Sequence, residues 1–163
     1  MLSVLIVCRE INDLLARTVK SVEPLQPQIL IDVSVDQNKA LGDRKNRLIN
    51  YASYEWVLVL DTDEVVSKEL LHEVREVVSK NSSEFQGYQI PYQNYIFGKP
   101  ARYGGERYSR VQLFRKKHGA FSPLPIHEYP IVDGKIGKLK GVIHHYSYVS
   151  LLQVLRKFTK YAW

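Results

Sequence analysis

Along the first half of the chain, short apolar runs alternate with segments whose apolar residues recur at the helical period. Leu2 to Val7 reads as a strand. Asn12-Asp13 can cap a helix running to about Val22, on which Leu15, Val19 and Val22 share a face, and Pro24 and Pro27 end it. Ile29 to Val35 returns as a strand that ends at Asp36. Asn38 to Ala52 reads as a second helix, with Leu41, Leu48, Ile49 and Ala52 turned inward, and Trp56 to Leu60 as a third strand. Ser67 opens a further helix to about Lys80, with Leu70, Val74, Val77 and Val78 as its apolar stripe. The order β-α-β-α-β predicts an α/β fold with a mainly parallel sheet, right-handed crossovers and flanking helices.

Beyond Asn81-Ser82-Ser83 the texture changes. Tyr88 to Tyr92 and Val111 to Arg115 read as strands, separated by a loop carrying Gly98, Pro100 and Gly104-Gly105, and Val142 to Tyr148 as another strand. This predicts a smaller antiparallel part after the parallel one. From Ser150 a terminal amphipathic helix is expected: Leu151, Val154, Leu155, Phe158, Tyr161 and Ala162 gather on one side, Gln153, Arg156, Lys157 and Lys160 on the other. Such a face packs on the body of the protein or lies on a bilayer, which makes residues 150–163 a candidate peripheral membrane contact.

The chain has 163 residues, which suits one domain, and it is 45% hydrophobic, enough for a core. One cysteine, Cys8, excludes an internal disulfide and fits a reducing compartment. The N-terminus has no basic, long apolar leader, and no stretch reaches the roughly 18 apolar residues of a membrane span. A cytoplasmic location is expected, possible membrane contact being peripheral at the inner face. The net charge of +6 conceals an asymmetry. Residues 1–81 carry 10 Lys/Arg against 13 Asp/Glu, whereas residues 82–163 carry 13 against 4, so −3 is followed by +9. A basic half favours an anionic partner. Its cations follow no nucleic-acid reading motif, so no nucleic-acid partner is expected.

The chemistry concentrates where Val57-Leu58-Val59-Leu60 ends in Asp61-Thr62-Asp63-Glu64. Four aliphatic residues in a row suit a strand buried on both faces, whose acidic end emerges at the carboxyl edge of the sheet, where open α/β folds place ligands. Asp61 and Asp63, two positions apart on an extended chain, can point the same way. Paired carboxylates repel unless a cation lies between them, and hard ions such as Mg²⁺ or Mn²⁺ take oxygen ligands that they share with phosphates. A nucleotide-diphosphate site is the functional reading. The alternative is a solvated loop or the first turn of the next helix, where acids suit the dipole, and Glu64 is read as that helix lead-in.

Further motifs fall in order around this one. Leu41-Gly42-Asp43-Arg44-Lys45-Asn46-Arg47, then Ala52, then Trp56 to Glu64, followed by Ser67-x-Glu69-Leu70, resembles family 2 glycosyltransferases. Arg110-Val-Gln-Leu-Phe-Arg115, His127-Glu128 and His145-Tyr146 are similar to motifs of the lipopolysaccharide-core type. Two departures stand out: Arg9-Glu10 in place of the family's usual Asn-Glu, and no Ser/Thr/Asp-rich turn after Asp36. Those relatives generally continue past the position of Trp163, so the resemblance implies a compact or truncated form.

The resemblance implies a GT-A fold in a single domain, with residues 1–81 holding a nucleotide-diphosphate sugar and residues 82–163 facing a glycan or lipid-linked acceptor. It implies a divalent metal, Mn²⁺ or Mg²⁺, with Asp63 as direct ligand, Asp61 touching ribose or metal, and His145 completing the shell or serving as a core histidine. Cys8, Glu10, Asp36 and Thr62 fall on the donor side; Cys8 also reads as a small core residue. Arg44 or Lys45 would approach the diphosphate or lie on a solvated helix face. Glu128 takes the position of the general base of an inverting transferase, or pairs structurally with an arginine. Arg110, Arg115 and His127 would line the acceptor cleft or clamp phosphate. Two other readings remain open: a catalytically degenerate binding or scaffold protein, and a sugar nucleotidyltransferase, against which the lack of glycine between Cys8 and Leu15 argues.

Overall fold

Two strands with apolar residues on both faces organise the molecule. In this computed structural model, which describes residues 1–33, 40–101, 108–122 and 128–148, they are β1 (Leu2–Cys8) and β3 (Trp56–Asp61). They pair in parallel, Val4 against Leu58 and Val7 against Asp61, and β2 (Gln28–Val33) adds in parallel to the far side of β1. Successive side chains of β1 and β3 enter opposite layers. Leu2, Val4, Ile6, Leu58 and Leu60 meet α1 (Asp13–Val22) and α3 (Lys68–Lys80), while Leu5, Val7, Val57 and Val59 meet α2 (Leu41–Tyr51). Each fully buried aliphatic side chain contributes about 1.5–3 kcal/mol of transfer free energy, so this double-sided strand pair is the most stabilising part of the fold.

The helices form where local chemistry directs. The Asn12 side chain accepts from the amides of Leu14 and Leu15 at the start of α1, and Pro24 follows at its end. Ser67 caps α3 through the Leu70 amide and accepts a second bond from Val142. Asn81 ends α3 in the left-handed conformation, φ 42°, which asparagine tolerates.

The later strands build outward from β3. They are β4 (Glu64–Val66), β5 (Gly87–Ile96), β6 (Lys99–Pro100), β7 (Ser109–Arg115), β8 (Gly119–Phe121), β9 (Pro130–Val132), β10 (Ile136–Lys138) and β11 (Ile143–Tyr148). Among the described residues the sheet runs β2-β1-β3-β7-β5-β11-β4, with β6 and β10 also on β5, and β8-β9 form a separate pair. The turn to antiparallel pairing comes at β7, beside β3. The α/β architecture, the parallel first half and the antiparallel pairs that begin at β7 match the expectation, while β10 and β11 join β5 in parallel. Some boundaries differ: β5 runs on to Ile96 and β7 starts at Ser109. Val65-Val66, expected as the approach to a helix, form a short strand because β11 pairs with them. The second helix is described from Leu41, with Ala40 before it, and Asn38 lies outside the described residues. Asp36, His127 and the terminal segment 150–163 lie outside the described residues. Among those described, no helix is long and apolar enough to cross a membrane.

Candidate functional site

The acidic turn after β3 is pinned from three sides. From α1, Thr18 Oγ1 donates to the Thr62 carbonyl at 2.8 Å. From β11, the Tyr146 amide donates to the Asp63 carbonyl at 2.9 Å. From within, the Asp61 amide donates to Glu64 Oε2 at 3.0 Å. Glu64 therefore does not lead into a helix: it is 1% exposed and opens β4. Burial, then the nearby Asp61 charge, push its carboxyl up to about 7, against the lowering effect of the Asp61 amide bond. Tyr92 on β5 shares this buried cluster, and its hydroxyl accepts from Gln112 Nε2 at 2.7 Å.

Asp61 and Asp63 do not aim at one point. Strand alternation stops at Asp61, and the turn sends the two carboxylates to different partners. Asp61 faces α2, where Lys45 Nζ lies 3.1 Å away, and the same ammonium reaches Glu128 Oε1 at 3.0 Å while resting on the Phe121 ring. The Lys45 side chain is 3% exposed, so its charge is held by these two carboxylates. Burial alone would lower its pKa; Asp61 and Glu128 together raise it. Asp63 faces His145 instead, with Oδ1 3.5 Å from Nε2. On the other side of that ring, Nδ1 meets Asn94 Oδ1 at 3.0 Å and the Tyr108 hydroxyl at 3.4 Å. With Asn94 presenting its oxygen, Nδ1 carries a proton and Nε2 turns to Asp63. Burial would lower the His145 pKa, but the bond to Asp63 and the charges of Asp63, Glu64 and Asp61 raise it.

The remaining expected site residues divide. Arg44 is buried and binds Asp32 through Nε at 3.3 Å and the Cys8 carbonyl at 2.9 Å, tying the ends of β1 and β2 to α2. Cys8 is buried and its thiol pKa is raised by burial. Glu10 is exposed just beyond β1 and accepts from Asn12. Arg110 is exposed beside the site, its guanidinium 4.9 Å from the Tyr108 ring centre. Arg115 is not at the site. It pairs with Trp56 at the opposite end of β3, stacks on that indole at 4.5 Å, and is held by Glu55, Asn81 and the Ser82 carbonyl. Tyr92, Asn94 and Tyr108 were not among the expected residues. The even spacing of Tyr92 and Asn94 on one strand was the available signal, since alternate residues share a face.

Among the described residues no three His, Cys, Asp or Glu side chains converge on one point, so the expected set Asp61, Asp63 and His145 is not gathered as three ligands. Asp63 and His145 do face one another. An oxygen and an imidazole nitrogen at that separation, with the ring oriented from behind by Asn94, suit a divalent cation that takes its other ligands from phosphate.

Residues 11–130 match the sequence profile of Glycosyl transferase family 2. An uncharacterised glycosyltransferase of Rickettsia typhi is 24% identical across 99% of this chain, and another from Rickettsia prowazekii is 25% identical across 99%. The chain spans 65% of the length of each of these relatives. The crystal structure of S. aureus TarS, residues 1–349, superposes with a TM-score of 0.53 at 11% identity, covering 90% of this chain and 60% of that one.

Proposed function

The chain belongs to glycosyl transferase family 2, and we propose that it transfers a sugar from a nucleotide-diphosphate donor to a glycan or lipid-linked acceptor, with inversion. The observation carrying this reading is Lys45. Its ammonium joins Asp61, from the acidic turn, to Glu128, which comes from a distant part of the chain. Two carboxylates brought together in this way support the reading, since single displacement at a sugar carbon needs one on the donor side and one to act as base.

Asp63 and His145 would hold a divalent cation. That cation supplies Lewis-acid neutralisation of the departing diphosphate. Asp61, compensated by Lys45, accepts a hydroxyl hydrogen bond from the donor's ribose. Glu128 takes the proton of the attacking acceptor hydroxyl. Glu64 and Thr18 hold the turn, so the carboxylates need not reorganise when the donor binds. Asn94 keeps the His145 ring aligned with Asp63.

Thermal-shift screening against a panel of nucleotide-sugars with Mn²⁺ identifies the donor, since a ligand that binds the folded state raises the melting temperature. With that donor, Glu128→Gln is expected to lower the rate of transfer or donor hydrolysis about 10²-fold or more, leaving donor affinity intact. An unchanged rate removes Glu128 from the role of base.

A further inference from the structure

On the side of the site away from α2, a guanidinium is mounted on two tyrosine rings. Tyr92 and Tyr108 stack with centroids 4.8 Å apart and planes 17° from parallel. The Arg110 guanidinium lies 4.9 Å from the Tyr108 centroid and 6.0 Å from that of Tyr92. The stack joins the acidic turn through the Tyr108 hydroxyl, which meets His145, which in turn faces Asp63.

Arg110 differs from the cations that α2 brings to the site. Arg44 and Arg47 are held by Asp32, and Lys45 by Asp61 and Glu128. Among the described residues no carboxylate lies within ion-pair range of Arg110, which is exposed. Contact with the aromatic face fixes the guanidinium plane without using its N–H donors. Such a group is pre-organised to bind a phosphate or carboxylate through two parallel hydrogen bonds. Tyr108, half-buried, adds apolar ring surface beside the guanidinium that suits the apolar face of a sugar, with Tyr92 buried behind it.

Resting on the glycosyltransferase reading, we propose that Arg110 and Tyr108, backed by the buried Tyr92, form an acceptor subsite, and that the acceptor is an anionic glycan carrying phosphate or carboxylate beside the sugar that is extended. The donor's own diphosphate has the same chemistry, so the test must separate the two sources.

The probes are glucose, glucose 6-phosphate and glucuronate, titrated by calorimetry into the full chain with and without saturating Mg²⁺ and nucleoside diphosphate. The expected result is that glucose 6-phosphate or glucuronate binds with the nucleotide present, at least tenfold tighter than glucose. Arg110→Gln should remove that preference and leave nucleotide affinity within twofold. Tyr108→Leu should weaken the anionic sugar as well. Arg17→Gln is the control, because Arg17 sits on Tyr146, which β11 turns to the face opposite His145. The proposal is overturned if no anionic sugar binds, if glucose binds equally, or if the preference survives Arg110→Gln. It is also overturned if Arg110→Gln weakens the nucleotide instead, which assigns Arg110 to the donor. Failure of every nucleotide to bind refutes the donor reading alone, since the titrations without nucleotide still report on Arg110.

Discussion

Replacing Lys45 by methionine keeps an unbranched stem out to Cε and deletes the ammonium that Asp61 and Glu128 share. Removing one partner from a buried ion pair costs about 3–5 kcal/mol, because the charge left behind has lost its compensation. Here the Asp61 side chain is 34% exposed and that of Glu128 14%, so water relieves part of the loss. A cost of about 2–3 kcal/mol is expected at pH 7. For a chain of this size that lowers the melting temperature by roughly 4–12 °C. A double-mutant cycle separates this cause from lost packing against Phe121: with Glu128→Gln in the background only one carboxylate is left uncompensated, so the cost of Lys45→Met should shrink. The raised pKa of Lys45 means that its contribution is complete below lysine's ordinary 10.5 and fades as pH rises through the folded value. The assay is equilibrium denaturation of the four proteins in EDTA at pH 7. A gap below about 1 kcal/mol, or one that is unchanged in the Glu128→Gln background, would refute the account of Lys45 as a charge bridge.

Three other perturbations test neighbouring parts of the structure. Glu64, whose carboxyl is raised from 4.5 to about 7, makes the metal-free protein less stable as pH climbs between those values, by on the order of 3 kcal/mol; Glu64→Gln should flatten that slope in urea titrations at pH 5 and 8. Asp32 behaves in the opposite way: burial raises its pKa but bonds to Arg44 and Arg47 lower it further, so its stabilisation holds above 3.8 and fades as pH falls through the folded value. Arg44→Met should therefore cost about 3 kcal/mol at pH 7 and much less at pH 3, read as a change in denaturation midpoint. Gly42→Ala places a methyl group 2.3 Å from the Ser122 carbonyl oxygen and 3.5 Å from the Glu128 Cβ. A loss of about 1–3 kcal/mol is expected, together with lower activity, because α2 must shift against the segment that carries Glu128, the proposed base.

The parallel half of the fold was legible because its apolar residues repeat locally and both faces of β1 and β3 are covered. The acidic turn was legible for the same reason: a buried strand must surface somewhere, and Asp61 marks the place. What escaped was set by residues far apart in sequence. Arg44 and Lys45 read equally well as a solvated helix face, and only the arrival of Asp32, Asp61 and Glu128 around α2 buries them. Glu64 is chemically an ordinary helix lead-in until β5 brings Tyr92 over it and β11 pairs with β4. Arg110 and Arg115 share one motif, yet the strand carries them to opposite ends of β3's partner surface. A bulge contributes: Tyr88 pairs with Leu113 and Gln89 with Val111, leaving Gln112 unopposed and the alternation of β7 broken.

The central claim is that the turn after β3 anchors a nucleotide diphosphate through a cation held by Asp63 and His145. Calorimetric titration of nucleoside diphosphates into the protein, with Mn²⁺ and with EDTA, tests it most directly. The account predicts saturable binding of at least one diphosphate in Mn²⁺, lost in EDTA and in Asp63→Ala, and weakened at least tenfold in His145→Ala. Binding of equal strength in EDTA, or binding that survives Asp63→Ala, would contradict it.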